Sequence, residues 1–344
     1  VKAKCLLFLL FPIFYACQTA EQGSAYCLKA SAIYKIDALA LAEQFNGVIL
    51  IAQDDVVLHY QSYGFSDIGA QKKLKLDNHF YIGSISKQIT AVLVLRAMER
   101  GELSLSDKIE KYLPEISENW SKQVDIHQLL THTHGIVAKD SALAFQPGTQ
   151  FSYSQLGFGL LAEILERIQQ KSFEELANSF FAESGLMNTY HPGAQYSDLL
   201  VIGYEEDDLG ALQEAIGNPM AFVAAGGFVS SAMDLHQWNL DLHGNKYLSA
   251  KSMSLIKKHH ATRAHPIFGE IDYGYGLLFN RSEQNLQIGA LGYVPGFPSL
   301  NFYFPQTKVS LVVLGNTGRN LNDFAKTFHT HLGVLGLVRE SCSE

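Results

Sequence analysis

The sequence predicts an α+β fold: an antiparallel sheet flanked by helices, with an inserted all-helical lobe. Three observations lead there. Short apolar runs of strand length lie toward both ends of the 344 residues, the central stretch carries helical periodicity, and no Gly/Ser-rich or Pro-rich tether separates the two kinds of segment. Strands from both ends must then share one sheet, and the helical part is interleaved with it rather than strung on a linker.

The first sixteen residues stand apart from the rest. Lys2 and Lys4 precede Leu6 to Tyr15, an uncharged apolar run of signal-peptide length that is short for a permanent membrane span, and Pro12 would break a buried helix there. Residues 1–16 are expected to be an export signal. The segment Phe14-Tyr15-Ala16-Cys17 resembles a bacterial lipoprotein signal, although bulky Phe14 and Tyr15 depart from the usual pattern. That resemblance implies a periplasmic or cell-envelope location with membrane attachment through a lipidated Cys17; secretion is the alternative. Residues 17–344 are expected to form one domain, with a sheet lobe from about 28–80 and 216–340 and a helical lobe from about 81–215.

Within that domain, Ile33, Ile36 and Ala40 recur at helical spacing, and Val48 to Ala52 and Val56 to Tyr60 flank the polar pair Asp54-Asp55 as a β-hairpin would. Ile89 to Leu95 is apolar nearly all round, the mark of a buried helix, and Gly101 sits where a C-terminal cap is wanted. From Ser84 to about Ala215 the reading is mostly helical. Short strands follow at Gln284 to Ile288, Leu300 to Phe304 and Val309 to Leu314, the last two joined by a turn at Pro305 to Lys308. Leu321, Phe324, Phe328 and Leu332 mark a closing amphipathic helix.

Composition removes several classes of function. With 47% hydrophobic and 17% charged residues the chain can bury a full core. A net charge of -8 without any Lys/Arg-rich run supplies no positive field for phosphates, so no nucleic-acid partner is expected. Beyond the signal no apolar stretch approaches the ~20 residues of a membrane helix. No G-x-G-x-x-G follows a strand and no Walker sequence occurs, so no nucleotide cofactor is indicated. His127, His132 and His134 lie close together, but no further ligand joins them at zinc spacing, and no metal is expected. Cys5 would leave with the signal and Cys17 carries the expected lipid, which leaves Cys27 and Cys342 to be paired or free.

The chemistry concentrates at Phe80-Tyr81-Ile82-Gly83-Ser84-Ile85-Ser86-Lys87. Ser84 and Lys87 form S-x-x-K at the start of a buried helix, where positions i and i+3 share a face and the amine reaches the hydroxyl. A lysine in a low-dielectric cleft sheds its proton more readily, and the helix N-terminus favours negative charge. The spacing alone is weak: Ser254 to Lys257 repeats it, and there it reads as the solvated face of an ordinary helix.

The company of Ser84 is more specific. Phe80 to Ala91 resembles the nucleophile segment of the serine β-lactamase-like hydrolases, the group that includes class C β-lactamases, D-Ala-D-Ala carboxypeptidases and related esterases. In order along the chain, Leu129 to Gly135 is similar to the family's L-L-T-H-T-S-G, Pro147 to Gly157 to P-G-x-x-F-x-Y-S-N-x-G, Ala224 to Leu235 to A-A-G-G-L-x-S-T-A-x-D-L, and Gly289 to Phe297 to G-H-x-G-x-x-P-G-F. The resemblance spans about residues 45 to 316.

It implies a metal-free, cofactor-free serine hydrolase that forms an acyl-enzyme with a small-molecule or peptide-like ester or amide. Ser84 would be the nucleophile, Lys87 its partner and Tyr153 the general base, its phenolate favoured by a neighbouring ammonium. The backbone N–H groups of Ser84 and Tyr293 would form the oxyanion hole, with Gly292 just before on the strand and Gln155 and Ala290 facing the substrate. Two positions depart from the family: Gln155 replaces Asn and so sets the amide one methylene further out, and Ala290 replaces a His or Lys and so removes a cation. The intact Ser84, Lys87 and Tyr153 favour catalysis, whereas the two departures favour the competing reading of a catalytically impaired envelope protein that binds a ligand or acts as a scaffold. The family also implies that the first and last helices lie side by side, near enough for Cys27 and Cys342 to bond.

Overall fold

A computed structural model describes residues 26–193, 197–217, 219–279, 287–319 and 323–342. The export and lipidation expectations for residues 1–17 lie outside these residues, as does most of the strand read at Gln284 to Ile288.

Helix α1 (Ala30–Ala42) turns Ala32, Ile36 and Ala40 inward and leads into β1 (Gly47–Gln53) and β2 (Val56–Tyr63), with Asp54 in the left-handed region at the hairpin turn. After a 3₁₀ turn at Gly83–Ile85 comes α2 (Ser86–Glu99), buried along nearly its whole length as its apolar sequence requires, and Gly101 at φ +76° follows its end. Helices α3 (Gln155–Gln169) and α4 (Phe173–Ser184) complete the helical lobe, and α5 (Ala232–His243) leads back toward the sheet. The remaining strands of the main sheet are β3 (Ala261–His265), β4 (Gly269–Tyr273), β5 (Leu278–Phe279), β6 (Ile288–Val294), β7 (Phe297–Phe304) and β8 (Val309–Gly315), before the closing helix α6 (His329–Cys342).

These eight strands form one antiparallel sheet in the order β2-β1-β8-β7-β6-β5-β4-β3. Gly47 pairs with Gly315, so the two ends of the chain meet at β1 and β8. The continuous apolar runs of these strands have a direct cause: both faces are covered. Ile49 and Ile51 pack with Ile36 of α1 and Val338 of α6, whereas Val48 and Leu50 join the core that holds α2. An alternating polar face would have stranded polar groups beneath helices.

The structure departs from the sequence reading in three places. The stretch read as mostly helical to Ala215 ends in a small hairpin, Tyr204–Glu206 with Leu212–Glu214, which pairs through Thr317–Gly318. Apolar periodicity marks no strand across the Gly289-to-Tyr293 motif, yet one runs there from Ile288 to Val294, because Gly289 and Gly292 lack the side chains that reveal strand periodicity. The closing helix is two: a short turn at Phe324–Thr327, then α6.

Helices α1 and α6 pack on the same face, and Cys27 and Cys342 are disulfide-bonded across them with Cα atoms 4.7 Å apart. Ser341 reinforces the junction by donating to the Cys27 carbonyl at 2.7 Å. The bond closes a loop of 315 residues, for which chain entropy gives an upper bound of roughly 6 kcal/mol. We expect Cys27→Ser to lower the urea midpoint by a clear margin, and the oxidised wild type to show no free thiol at Cys27 or Cys342 by non-reducing peptide mass spectrometry. Two free thiols, or an unchanged midpoint, would contradict this.

Candidate active site

Ser84 sits in the tight turn that opens α2, where two contacts anchor the backbone to the sheet and the core. Ser299 on β7 donates to the Ile82 carbonyl at 2.9 Å, and Ser86 accepts from the Phe228 N–H at 3.2 Å. Strand β6 presses on the turn so closely that only glycine fits at two positions. A Cβ at Gly83 (φ +53°) would lie 2.3 Å from the Tyr293 nitrogen, and one at Gly292 would lie 2.0 Å from the Ile82 oxygen. The Tyr293 backbone is thereby set beside the residue preceding Ser84. Its side chain turns away, bonding Glu205 at 2.5 Å and packing on Phe324.

One turn of helix carries Lys87 back over Ser84, with Nζ 3.3 Å from Oγ. The lysine is 1% exposed and donates to the Ala225 carbonyl at 2.6 Å. The Ala224-Ala225-Gly226-Gly227 segment has a polar duty: its Ala224 carbonyl takes the Thr90 hydroxyl at 2.7 Å and its Ala225 carbonyl takes the ammonium. Burial pushes the Lys87 pKa down, opposed by attraction to Tyr153.

Tyr153 arrives from the loop before α3 and places its hydroxyl 2.6 Å from Ser84 Oγ. His132, buried at φ +58°, fixes that loop: its carbonyl accepts from Ser152 at 2.8 Å and its Nδ1 from the Ser154 N–H at 3.2 Å. With Nδ1 accepting, the proton resides on Nε2, 3.0 Å from the Tyr273 hydroxyl. Burial, reinforced by Lys87, holds His132 neutral, and burial holds Tyr273 protonated. Burial would also raise the Tyr153 pKa, but Lys87 and Arg263 outweigh it and the net shift is downward. Lys87 Nζ stands 4.7 Å and Arg263 Cζ 4.1 Å from the centre of its ring.

Gln155 and Ala290 complete the comparison with the sequence reading. The exposed Gln155 amide makes no hydrogen bond among the described residues, and its oxygen faces Gly226. Ala290 is buried on the same face of β6 as Gly292, opposite Asn301, which is locked to Asn239 at 2.7 and 3.0 Å. No cation stands on that strand position, yet the site is not short of positive charge. Arg263 was missed because it belongs to no motif, and although β3 turns residues 261, 263 and 265 inward, Ala261 to His265 carries no apolar alternation that would reveal the strand. His127 bonds Tyr275 at 2.7 Å and His134 accepts from Ile136 at 2.9 Å, so these rings have partners within the fold. Ser254 is exposed and bonds only its own helix. A cavity of about 730 Å³ between the end of α1 and β2 contains none of the Ser84 cluster, so chemistry rather than cavity size marks the site.

Fold and site together define a class, a serine hydrolase built on the penicillin-binding-protein architecture. The chain belongs to the beta-lactamase family, whose model, described as Beta-lactamase, matches residues 36–334. It is 24% identical to penicillin-binding protein 4* of Bacillus subtilis (strain 168) over 81% of this chain and 70% of that one. Similar solved structures include the D-amino acid amidase from Ochrobactrum anthropi SV3 (TM-score 0.78, 20% identity, 91% of this chain and 98% of that one). Another is the octameric penicillin-binding protein homologue from Pyrococcus abyssi (TM-score 0.74, 23% identity, 89% and 77%).

The glycine contacts yield a test. Gly292→Ala must push the Ser84 turn off β6, and we expect a stability loss of about 1–3 kcal/mol with at least a tenfold slower acylation of Ser84 by a fluorophosphonate. Unchanged labelling and unchanged denaturant midpoint would show that the close approach is dispensable.

Proposed function

We propose that this protein is an exported serine hydrolase that cleaves esters or amides through an acyl-enzyme at Ser84. The observation that carries the reading is the convergence of the Tyr153 hydroxyl at 2.6 Å and the Lys87 ammonium at 3.3 Å on one serine oxygen. In acylation Ser84 Oγ attacks the carbonyl carbon and its proton passes to the Tyr153 phenolate. The N–H groups of Ser84 and Tyr293 receive the oxyanion, and collapse breaks the bond to the leaving group, which takes the proton from Tyr153. Water then follows the same route in reverse roles: Tyr153 draws its proton, the hydroxide adds to the acyl carbon, and Ser84 leaves with the proton returned.

Lys87 keeps Ser84 and Tyr153 in register, and the free Gln155 amide is available to the substrate. Because Ala290 offers no donor, a carboxylate on the substrate gains no charge-assisted bond at that position, a contact that contributes about 1.5–3 kcal/mol where present. Uncharged esters fit this site better than carboxylate-bearing amides. The relatives named as penicillin-binding proteins and as a D-amino acid amidase support acyl transfer as the reaction class. The Cys27–Cys342 disulfide supports export, since such bonds persist in oxidising compartments, and the apolar leader ending at Cys17 supports a cell-envelope location. Among the described residues no helix is long and apolar enough to cross a membrane.

Short-chain p-nitrophenyl esters should be turned over, with weak hydrolysis of nitrocefin and D-Ala-D-Ala peptides. Ser84→Ala should abolish both turnover and covalent labelling while leaving the circular dichroism spectrum intact. Ala290→His should raise activity on the carboxylate substrates by roughly tenfold, the equivalent of about 1.4 kcal/mol in the transition state. Efficient wild-type β-lactam hydrolysis would contradict the specificity. A Ser84 that no ester, amide or phosphonate modifies would instead favour a ligand-binding or scaffolding protein.

A further inference from the structure

We propose that Arg263 is a positioning residue that keeps Tyr153 ionised, its guanidinium acting as the fixed positive charge of the site. The inference rests on Tyr153 being the general base. Arg263 lies on β3, the edge strand at the far end of the sheet from β2, directly opposite Ile271 of β4. It is half-buried, with Cζ 4.1 Å from the Tyr153 ring centre. Among the described residues no carboxylate pairs with it and it donates no hydrogen bond, so the ring is its partner. The guanidinium thus stands over the face of the Tyr153 ring with its five donors unused by the described residues.

The chemistry of the ring makes this placement consequential. A phenolate spreads its charge into the ring carbons, so a cation over the face stabilises the ionised form more than the neutral phenol. The groups that face Tyr153 are Ser84 from the turn, Lys87 from α2, His132 from the loop, Tyr273 from β4 and Arg263 from β3. His132 and Tyr273 are neutral, which leaves Lys87 and Arg263 to supply charge. Lys87 is an uncertain donor of charge, because its burial favours loss of its own proton and with it the stabilisation of the phenolate. Arginine does not deprotonate in proteins, so its charge persists whichever way the Lys87–Tyr153 proton is shared.

The sign of the pH effect follows. Catalysis needs the phenolate, so activity rises with pH through the Tyr153 transition, and removal of a nearby cation moves that rise to higher pH. Two readouts test this: ultraviolet titration of tyrosinate absorbance, with Tyr153→Phe identifying the Tyr153 signal, and the pH profile of kcat/KM on p-nitrophenyl acetate. Arg263→Met should shift both transitions upward by about one pH unit. At pH values below the transition kcat/KM should fall about tenfold, with the high-pH plateau retained, and Arg263→Lys should restore most of the wild-type profile. Circular dichroism checks folding, and Arg263→Gln carries the same comparison if the methionine variant does not fold. An unmoved tyrosinate titration would overturn the proposal, as would an equal loss at every pH or a rise in KM alone. The titration needs no turnover, so a wild type that hydrolyses nothing would sink the serine hydrolase reading without deciding the role of Arg263.

Discussion

The burial of one lysine constrains most of this site. Moving an ammonium out of water costs several kcal/mol, and the fold tolerates Lys87 only by surrounding it with acceptors and ring faces: Ser84 Oγ, the Ala225 carbonyl, and the rings of Tyr153 and Phe158. These come from three different parts of the chain. The serine sits one helical turn before it, the carbonyl belongs to the Ala224-to-Gly227 segment, and the two rings come from the entrance and first turn of α3. Satisfying the lysine therefore assembles the site. The same desolvation that loosens its proton places it where it can act on a serine and a tyrosine together.

The sheet provides the rigidity that this arrangement needs. Because α1 and α6 cover one face and α2 and α5 the other, β1, β8 and β7 are buried on both sides and have no freedom to slip register. Strand β6 carries that rigidity to the nucleophile through glycine contacts, so the Tyr293 N–H is positioned by the sheet and Ser84 by the helix that abuts it. The disulfide joins the two terminal helices behind the sheet, far along the chain from the chemistry it steadies. Loops contribute where they are pinned, as the buried His132 pins Tyr153.

How much of this was legible beforehand depends on what kind of signal each residue leaves. Ser84, Lys87 and Tyr153 were readable because S-x-x-K at the start of a buried helix and the ordered motifs after it confine them to one arrangement. The β1–β2 hairpin and α1 were readable from apolar spacing, and β7 and β8 from short apolar runs, whereas β3, β4 and β5 carry too little apolar pattern to be read. Strand β6 left no periodic signal across its motif because its glycines erase periodicity, although those glycines are what bring it against Ser84. The hairpin at residues 204 to 214 was missed because its strands are short and partly exposed, with little apolar pattern to declare them. Arg263 and the His132–Tyr273 bond were invisible for a different reason: they arise from tertiary contacts between residues more than a hundred positions apart, and no local pattern encodes them.

The proposed catalysis turns on Tyr153 drawing the proton from Ser84, and the rate of Ser84 acylation measured against pH in wild type and Tyr153→Phe addresses it most directly. The wild-type rate should rise to a plateau through a single transition below the ordinary tyrosine range. The phenylalanine variant, folded and still holding Ser84 beside Lys87, should acylate about 10²–10⁴ times more slowly, the range that general base catalysis contributes, and without that transition. Acylation of Tyr153→Phe at the wild-type rate, with the same pH profile, would contradict the account.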